Sequence, residues 1–305
     1  MGKVNDNKRN FQRFLHANGG KLIGVAVLAT VLVVVAIVMG SQDNHKPQLD
    51  GEPTVEKSGL IEEQVLMDQE QFKVTAKELA GPTGEKGAVL RLLFENDSNE
   101  TLSIPSIQMS SVNSVMIDAA TDCVVEAGKK MHKDIVFDKD QMDEAGITTI
   151  SDIYFTTPVF SISEDGKSQT LVYKSAPIHV KTNAEDVPQS DQVQGGTNLV
   201  DQDGFQAVLC SYSAATRTCK LLLHNNAENS VTASIASLDI NQETQPAEVV
   251  SGLMNVSITS GMSRFVDVSL PDGAEVKTFG ISFAISDYNT EAPLFTTAVA
   301  EVAPK

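Results

Sequence analysis

Apolar and polar side chains alternate in short runs from about residue 60 to the C-terminus. Phe72, Val74 and Ala76 would fall on one face of a strand. Residues 89–94 form a nearly continuous apolar run that is typical of a strand in a sandwich core. Similar short runs follow at 104–109, 112–117, 135–137, 153–162 and 178–180. Turn-forming Gly, Pro, Asn, Asp and Ser separate them. The pattern predicts a mostly β chain built from antiparallel β-sandwiches.

One segment departs from this alternation. Residues 22–39, LIGVAVLATVLVVVAIVM, are 18 consecutive positions without a charge. As a helix they would span ~27 Å, close to the ~30 Å hydrocarbon core of a bilayer. Basic residues crowd the N-terminal flank, which favours a cytoplasmic N-terminus. The sequence therefore predicts a cytoplasmic basic tail at 1–21, a transmembrane helix at 22–40, and a single-pass cell-membrane protein with residues 41–305 extracellular. A cleaved signal peptide is the alternative.

The remaining chain divides at two polar stretches. Residues 41–59 are rich in polar residues, Pro and Gly, which predicts a flexible stalk. Residues 183–198 are poor in apolar residues and include Gly195-Gly196, which predicts a linker. A first sandwich domain at 60–182 and a second at 199–305 follow from these boundaries. One short helix is expected at 141–145, capped by Asp138 or Asp140 and ended by Gly146.

The second half of the chain repeats the first. Residues 68–72 (DQEQF) match 201–205 (DQDGF) at an offset of 133, and residues 90–96 (LRLLFEN) match 219–225 (CKLLLHN) at an offset of 129. The loop between the matched segments is thus four residues shorter in the second copy. Residues 126–130 and 160–163 also resemble 259–263 and 283–286, in the same order. Two tandem copies of one immunoglobulin-like sandwich are predicted.

Charge narrows the choice of partners. The formal net charge is −17. The first 40 residues carry five basic and one acidic side chain, a net +4, so the rest of the chain carries −21. A strongly acidic exterior repels nucleic acid, which excludes it as a partner. Aromatic residues make up only 5% of the chain and Trp is absent, which disfavours a stacking or hot-spot-rich binding face.

No catalytic or metal-binding motif is present in the sequence. The histidines beyond the apolar segment, His45, His132, His179 and His224, have no other His or Cys within four residues. His179 and His224 fall at strand positions and are expected to face outward. Serine-nucleophile motifs and Gly-rich phosphate loops are absent. No cofactor, metal or catalytic residue is assigned, and the chain is predicted not to be an enzyme.

Two acidic segments resemble calcium loops only superficially. Residues 138–144 (DKDQMDE) have Met142 at a ligand position and lack the required Gly, and residues 201–205 fail at Phe205. Acidic residues at the start of a short helix account for the first segment. An irregular calcium site stays open as an alternative.

The chain has three cysteines, and two of them suit a cross-strand pair. If Ala214-Ala215 form a hairpin turn, Cys210 lies opposite Cys219, so a disulfide between them is possible. Two half-buried free thiols are the alternative, because Ala-Ala is a poor tight-turn pair. Cys123 is expected to be buried and unbonded.

Residues 66–182 carry turns and short segments, including ENDS, AGKK, DEAGI and ISDI, that resemble immunoglobulin-like sandwich domains of anchored, largely uncharacterised surface proteins of Gram-positive bacteria. The resemblance implies a bacterial cell-surface setting and a non-enzymatic role, and the layout of anchor, stalk and tandem sandwiches predicts a protein or cell-envelope partner. The favoured function is therefore a membrane-anchored module that presents two sandwiches for protein or ligand interaction. The alternatives are a structural spacer or self-associating component of an envelope assembly, and an enzyme with an unrecognised site.

Overall fold

A computed structural model of the chain describes residues 60–163, 165–173, 177–184, 196–273 and 275–303. Strands dominate this part of the chain. The buried apolar residues form two clusters, one built almost entirely from residues 67–180 and the other from residues 200–285 together with Met116. The β-sandwich prediction agrees with this arrangement.

The predicted fold class is wrong in one component, the N-terminal transmembrane helix. The two helices that the structure describes have six and four residues, and neither they nor any other described helix is long and apolar enough to cross a membrane. Six helical residues reach only ~9 Å. The predicted location in a cell membrane, single-pass with residues 41–305 extracellular, is corrected accordingly. The segments 1–21, 22–40 and 41–59 lie outside the described residues.

The first sandwich consists of the following elements in chain order: β1 (Gln64–Gln69), β2 (Phe72–Ala80), β3 (Val89–Asn96), β4 (Thr101–Ile104), β5 (Gln108–Val112), β6 (Val115–Met116), β7 (Ala119–Ala120), β8 (Cys123–Val125), β9 (Lys129–Phe137), α1 (Lys139–Glu144), β10 (Asp152–Thr156), β11 (Val159–Ile162), β12 (Gln169–Tyr173) and β13 (Ile178–Lys181). One sheet has the order β1-β2-β3-β9-β7. The strands that face it have the orders β12-β11-β4-β8 and β13-β10-β5-β6.

The second sandwich continues with β14 (Thr197–Gln202), β15 (Phe205–Ser213), β16 (Thr218–Asn225), β17 (Val231–Ile240), β18 (Glu243–Thr244), α2 (Ala247–Val250), β19 (Asn255–Ile258), β20 (Met262–Ser269), β21 (Phe279–Asp287), β22 (Pro293–Thr296) and β23 (Ala300–Val302). Strands β14-β15-β16-β20 form one sheet, and β18-β17-β21-β22 form the other, with β19 on β17 and β23 on β21. The order β14-β15-β16-β20 repeats the order β1-β2-β3-β9.

Buried asparagines occupy the same place in both copies. Asn96 ends β3, and its amide nitrogen donates to the carbonyl oxygens of Glu100 and Val125 at 2.8 and 2.9 Å. Asn225 ends β16 and donates to the carbonyl oxygens of Asn229 and Ile258 at 2.9 and 3.0 Å. Each side chain satisfies carbonyl groups that would otherwise be buried without a partner. The sequence match of 90–96 with 219–225 is therefore a structural match as well.

The loop between the matched segments differs in length as the sequence offsets predicted. Residues 81–88 join β2 to β3, whereas residues 214–217 join β15 to β16, four residues fewer. The expected short helix is present as α1. The carboxylate of Asp138 accepts from the backbone N–H of Gln141 at its start. Gly146, just beyond its end, has φ +65°. No helix occupies the equivalent place between β20 and β21 in the described residues 270–273 and 275–278.

One sheet runs through both sandwiches. Its eight strands have the order β13-β10-β5-β6-β20-β16-β15-β14, so the hairpin β5-β6 of the first sandwich pairs with β20 of the second. The two sandwiches are joined by strand pairing as well as by the chain that links them in sequence.

Candidate interaction surface

The predicted cysteine pair is separated by the strand register. Cys219 is opposite Tyr212, and Cys210 falls in a bulge between Leu209 and Ser211 that interrupts the pairing of β15 with β16. The hairpin has a four-residue turn in place of the two-residue Ala-Ala turn on which the pairing depended. All three cysteines are free thiols in this structure.

The thiols are poor nucleophiles because burial opposes the thiolate. Burial raises the pKa of Cys123 and of Cys219 to about 12. Burial also raises the pKa of the half-buried Cys210. A thiol acts as a nucleophile through its thiolate, so these environments favour a structural role for all three.

The three described histidines lie in separate places. His179 on β13 contacts the carboxylate of Asp152 through Nε2, and His224 on β16 contacts Ser263 Oγ at 2.8 Å and Asn226 Oδ1 at 2.6 Å through its two ring nitrogens. His132 is exposed on β9, opposite Leu93. Within the described ranges no group of three or more His, Cys, Asp or Glu side chains could hold a metal ion.

The acidic segments serve local structure. Asp138 caps α1, and Lys139 pairs with Asp143 one turn further on. Asp203 (φ +50°) and Gly204 (φ +82°) form the turn between β14 and β15. Two successive positive φ angles are typical of a type I′ hairpin turn, which accounts for Asp-Gly at this position without a metal.

The contact between the sandwiches is built on another type I′ hairpin. Asn113 (φ +50°) and Ser114 (φ +61°) connect β5 to β6. The side-chain oxygen of Asn113 accepts from the backbone N–H of Ser151 at 2.9 Å, and its amide donates to the carbonyl of Thr149 at 2.7 Å. The turn is thereby held against its own sandwich, and β6 is presented to the second one.

Strand β6 docks on the outer side of β20. Val115 pairs with Ser263 in parallel orientation, and the backbone N–H of Ser263 donates to the carbonyl of Ser114 at 2.9 Å. Met116 is only 7% exposed and belongs to the core of the second sandwich. The backbone N–H of Thr259 lies 3.4 Å from its sulfur.

Two ion pairs flank this contact. Arg264 on β20 lies 3.1 Å from Asp118, and Lys220 on β16 lies 3.0 Å from Glu144. The hydrogen bond with Glu144 raises the pKa of Lys220, so the ammonium keeps its charge across the neutral range. Both pairs join a basic residue of the second sandwich to an acidic residue of the first.

The strand equivalent to β20 in the first sandwich is β9. Its pairing with β3 sets Lys129 opposite Asn96, just as Met262 lies opposite Asn225, so Lys130 corresponds to Ser263. On its outer side β9 is paired with β7 only at Val136 and Phe137. The hydroxyl of Thr121 donates to the carbonyl of Asp134. Between Lys129 and Lys133, no strand in the described part of the chain pairs with this edge, although β8 lies beside it and Cys123 Sγ is 3.7 Å from Met131 Sδ.

This open edge of β9, residues 129–133, is basic in an otherwise acidic molecule. Lys129, Lys130 and Lys133 lie on it, together with His132 and with Met131, which is 39% exposed. The Lys130 ammonium bonds Glu95 on β3 and lowers the pKa of that carboxyl. The Lys133 ammonium lies 3.0 Å from Asp122, so two of the three lysines already have acidic partners, and the edge offers backbone groups with which no described strand pairs.

The hairpin equivalent to β5-β6 in the second sandwich is β17-β18. Asn241 (φ +52°) and Gln242 (φ +68°) form its turn. The side-chain oxygen of Asn241 accepts from the backbone N–H of Lys277 at 2.8 Å, and its amide donates to the carbonyl of Glu275 at 2.8 Å. Asn241 thus repeats the bonding of Asn113. Strand β18 lies at the end of its sheet, and no other described strand pairs with its outer side.

Sequence reasoning missed these two hairpins. The signal was available in Val-Asn-Ser-Val at 112–115 and Ile-Asn-Gln-Glu at 240–243, where an Asn begins a two-residue turn after a buried apolar residue. The open side of β9 had no sequence signal, because its exposure depends on which strands pair in space.

Comparison with known proteins places the chain in no family. No family model matches it, and no curated protein matches it. Among solved structures, the YadV chaperone is 11% identical over 70% of this chain and 91% of its own, with a TM-score of 0.21. The periplasmic chaperone SfaE is 14% identical over 74% and 96%, with a TM-score of 0.22. The Salmonella enterica SafA pilin in complex with the SafB chaperone is 11% identical over 78% of this chain and 98% of the matched chain, with a TM-score of 0.23.

Likenesses this distant carry no argument about function. The predicted β-sandwich architecture is confirmed by the strand pairing of the chain itself. Nothing in the comparisons supports a family of anchored surface proteins of Gram-positive bacteria.

Proposed function

We propose that this chain is a non-enzymatic protein-interaction module that binds an extended partner segment along the open edge of β9. One observation carries the proposal. The outer side of β20 is covered by β6, whereas the equivalent outer side of β9 is open between Lys129 and Lys133. An uncovered strand edge is a template for the addition of another strand.

The local chemistry suits a peptide segment. Main-chain hydrogen bonds supply most of the affinity in strand addition, each contributing about 1 kcal/mol net. The lysines of this edge can also exchange their present carboxylate partners, Glu95 for Lys130 and Asp122 for Lys133, for those of an acidic segment. The raised pKa values of the buried thiols and the engaged ring nitrogens of His179 and His224 support a non-enzymatic role.

A photo-crosslinking amino acid in place of His132 tests the proposal in the cells that produce the chain. We expect a discrete protein adduct after irradiation, because position 132 lies on the open edge. The matched control carries the same amino acid in place of Val172, which is 40% exposed on β12, the end strand of another sheet, whose residues 169–173 include no lysine. Equal adducts at both positions, or none at 132, would contradict the proposal.

A proline variant separates strand addition from charge attraction. The alternation along β9 directs the backbone N–H of Lys130 outward, like that of Ser263, so Lys130→Pro removes a donor that β3 does not use. We expect Lys130→Pro to abolish the adduct at 132 and Lys130→Ala to weaken it. Persistence of the adduct in the proline variant would exclude main-chain pairing as the binding mode.

A structural spacer is the second candidate, and the eight-stranded sheet shared by the two sandwiches favours it. A spacer needs the joint between β6 and β20 to be rigid and needs no ligand on β9. The absence of an adduct at 132, together with a stable joint, would favour this second role.

A further inference from the structure

We infer that the segment bound by β9 is the β17-β18 hairpin of a second copy of this chain. This inference rests on the proposed function and names its partner. It follows from the repeat: each sandwich has one edge of the β20 type and one hairpin of the β5-β6 type, but only one such edge and one such hairpin meet within the chain. Among the described strands, the edge of β9 and the hairpin β17-β18 are the edge and the hairpin that do not pair in this way.

The residues that would meet are set by the register. Val115 corresponds to Glu243, because each follows the two-residue turn of its hairpin, and Ser263 corresponds to Lys130. The contact between Val115 and Ser263 therefore becomes a contact between Glu243 of one copy and Lys130 of the next. The hydrogen bond from the Ser263 N–H to the Ser114 carbonyl becomes one from the Lys130 N–H to the Gln242 carbonyl.

Charge complementarity supports a second copy over an unrelated strand. Strand β18 carries the exposed Glu243, and the backbone groups that bind Asn241 in the turn belong to Glu275 and Lys277. The open edge of β9 carries three lysines. Lysines on an edge strand discourage pairing with an identical edge, so β9 would reject another β9 while accepting an acidic hairpin.

The contact between copies would be weaker than the one within the chain. Met116 enters the core of the second sandwich, whereas the equivalent residue of the other hairpin is the exposed Thr244. Association therefore depends on backbone bonds and charge, and it weakens as salt is added. The contact joins two different surfaces, so successive copies line up head to tail, as a ring if the rotation between copies closes and as an open chain if it does not.

Cross-linking between two purified full-length chains tests this inference. One chain carries Lys130→Cys and the other Glu243→Cys, each with Cys210→Ser to remove the most accessible native thiol. We expect mild oxidation of the mixture to give a disulfide-linked dimer whose cross-linked peptides contain positions 130 and 243. The control replaces Glu243→Cys by Glu301→Cys on β23, an exposed position in the same sandwich, and should give no such dimer. The position-specific product excludes association through other parts of the chain.

A charge reversal gives a readout without thiols. Glu243→Lys should lower the average mass of the full-length chain measured by light scattering at low salt, whereas Glu301→Lys should not. Equal cross-linking with the control chain, or equal masses for both lysine variants, would overturn the second copy as the partner. If position 132 still gives an adduct with a different protein, the strand-edge function stands alone. If neither the adduct at position 132 nor the dimer linked through positions 130 and 243 is found, both the proposed function and this inference are wrong.

Discussion

At the scale of single residues, Cys210 and Cys219 show how one local irregularity decides chemistry. The bulge that contains Cys210 has a counterpart in the first copy, between Ala76 and Glu78, so it belongs to the repeated framework. Neither this bulge nor the four-residue turn that follows it could be predicted from the sequence around residue 210. The disulfide that the sequence left open, beside the alternative of two free thiols, required an unbroken ladder between β15 and β16, and the bulge interrupts that ladder.

Alkylation of the cysteines follows from their burial. At pH 8 a thiol with a pKa of about 12 is thiolate in roughly one molecule in ten thousand. Cys210 is only half-buried, so it should react with iodoacetamide before the buried Cys123 and Cys219 in the folded chain. Mass spectrometry of the tryptic peptides over time measures the order.

Unfolding the same chain without a reducing agent gives the control. All three cysteines should then be alkylated, because none is bonded in the structure. A peptide joined through Cys210 and Cys219 in that sample would show that the free-thiol state is wrong. Simultaneous reaction of all three thiols in the folded chain would show that burial does not determine the order of alkylation.

At the scale of secondary-structure elements, the alternation of apolar and polar residues was sufficient to predict most of the sandwich framework. The repeat, the loop shortened by four residues and the capped helix α1 were also predictable, because each depends on neighbours in sequence. Short edge strands such as β6 and β18 were not, since two residues carry too little pattern. Their place is decided by the turn residues Asn113 and Asn241 and by the partner strand.

Gly87 tests the packing at the start of β3. A Cβ atom at this position would lie 2.0 Å from the carbonyl oxygen of Phe137, at the end of β9, and 3.1 Å from the backbone nitrogen of Lys139. Both are backbone atoms, so the chain itself would have to move. Gly87→Ala should lower the free energy of unfolding by about 3 kcal/mol.

Gly84 provides the matched control in the same loop. A Cβ there meets nothing within 4 Å, and Gly84→Ala should change stability by about 0.5 kcal/mol or less. Urea unfolding followed by far-ultraviolet circular dichroism measures both variants. Equal effects of the two substitutions would show that the approach of Gly87 to Phe137 is not a constraint.

At the scale of the whole molecule, the two sandwiches share a sheet and a buried side chain. Met116 comes from the first sandwich by sequence but lies in the core of the second, beside the strand pairing of Val115 with Ser263. The ion pairs of Asp118 with Arg264 and of Glu144 with Lys220 lie on the same joint. Exposed ion pairs contribute little, so the buried methionine should dominate the coupling.

Met116→Ala should therefore weaken both the second core and its attachment to the first sandwich. Truncation of a buried Met costs about 2–4 kcal/mol through lost contacts and the cavity that remains. Amide hydrogen exchange of the full-length chain localises the effect: we expect faster exchange in β20 and in the β5-β6 hairpin, with β1 and β2 unchanged. Met131→Ala on β9 removes the same side chain from a position in the first sandwich that is 39% exposed, and it should leave exchange in β20 as it was. If Met116→Ala loosens β20 but not β5-β6, the methionine stabilises only the second core, and the shared sheet alone holds the sandwiches together.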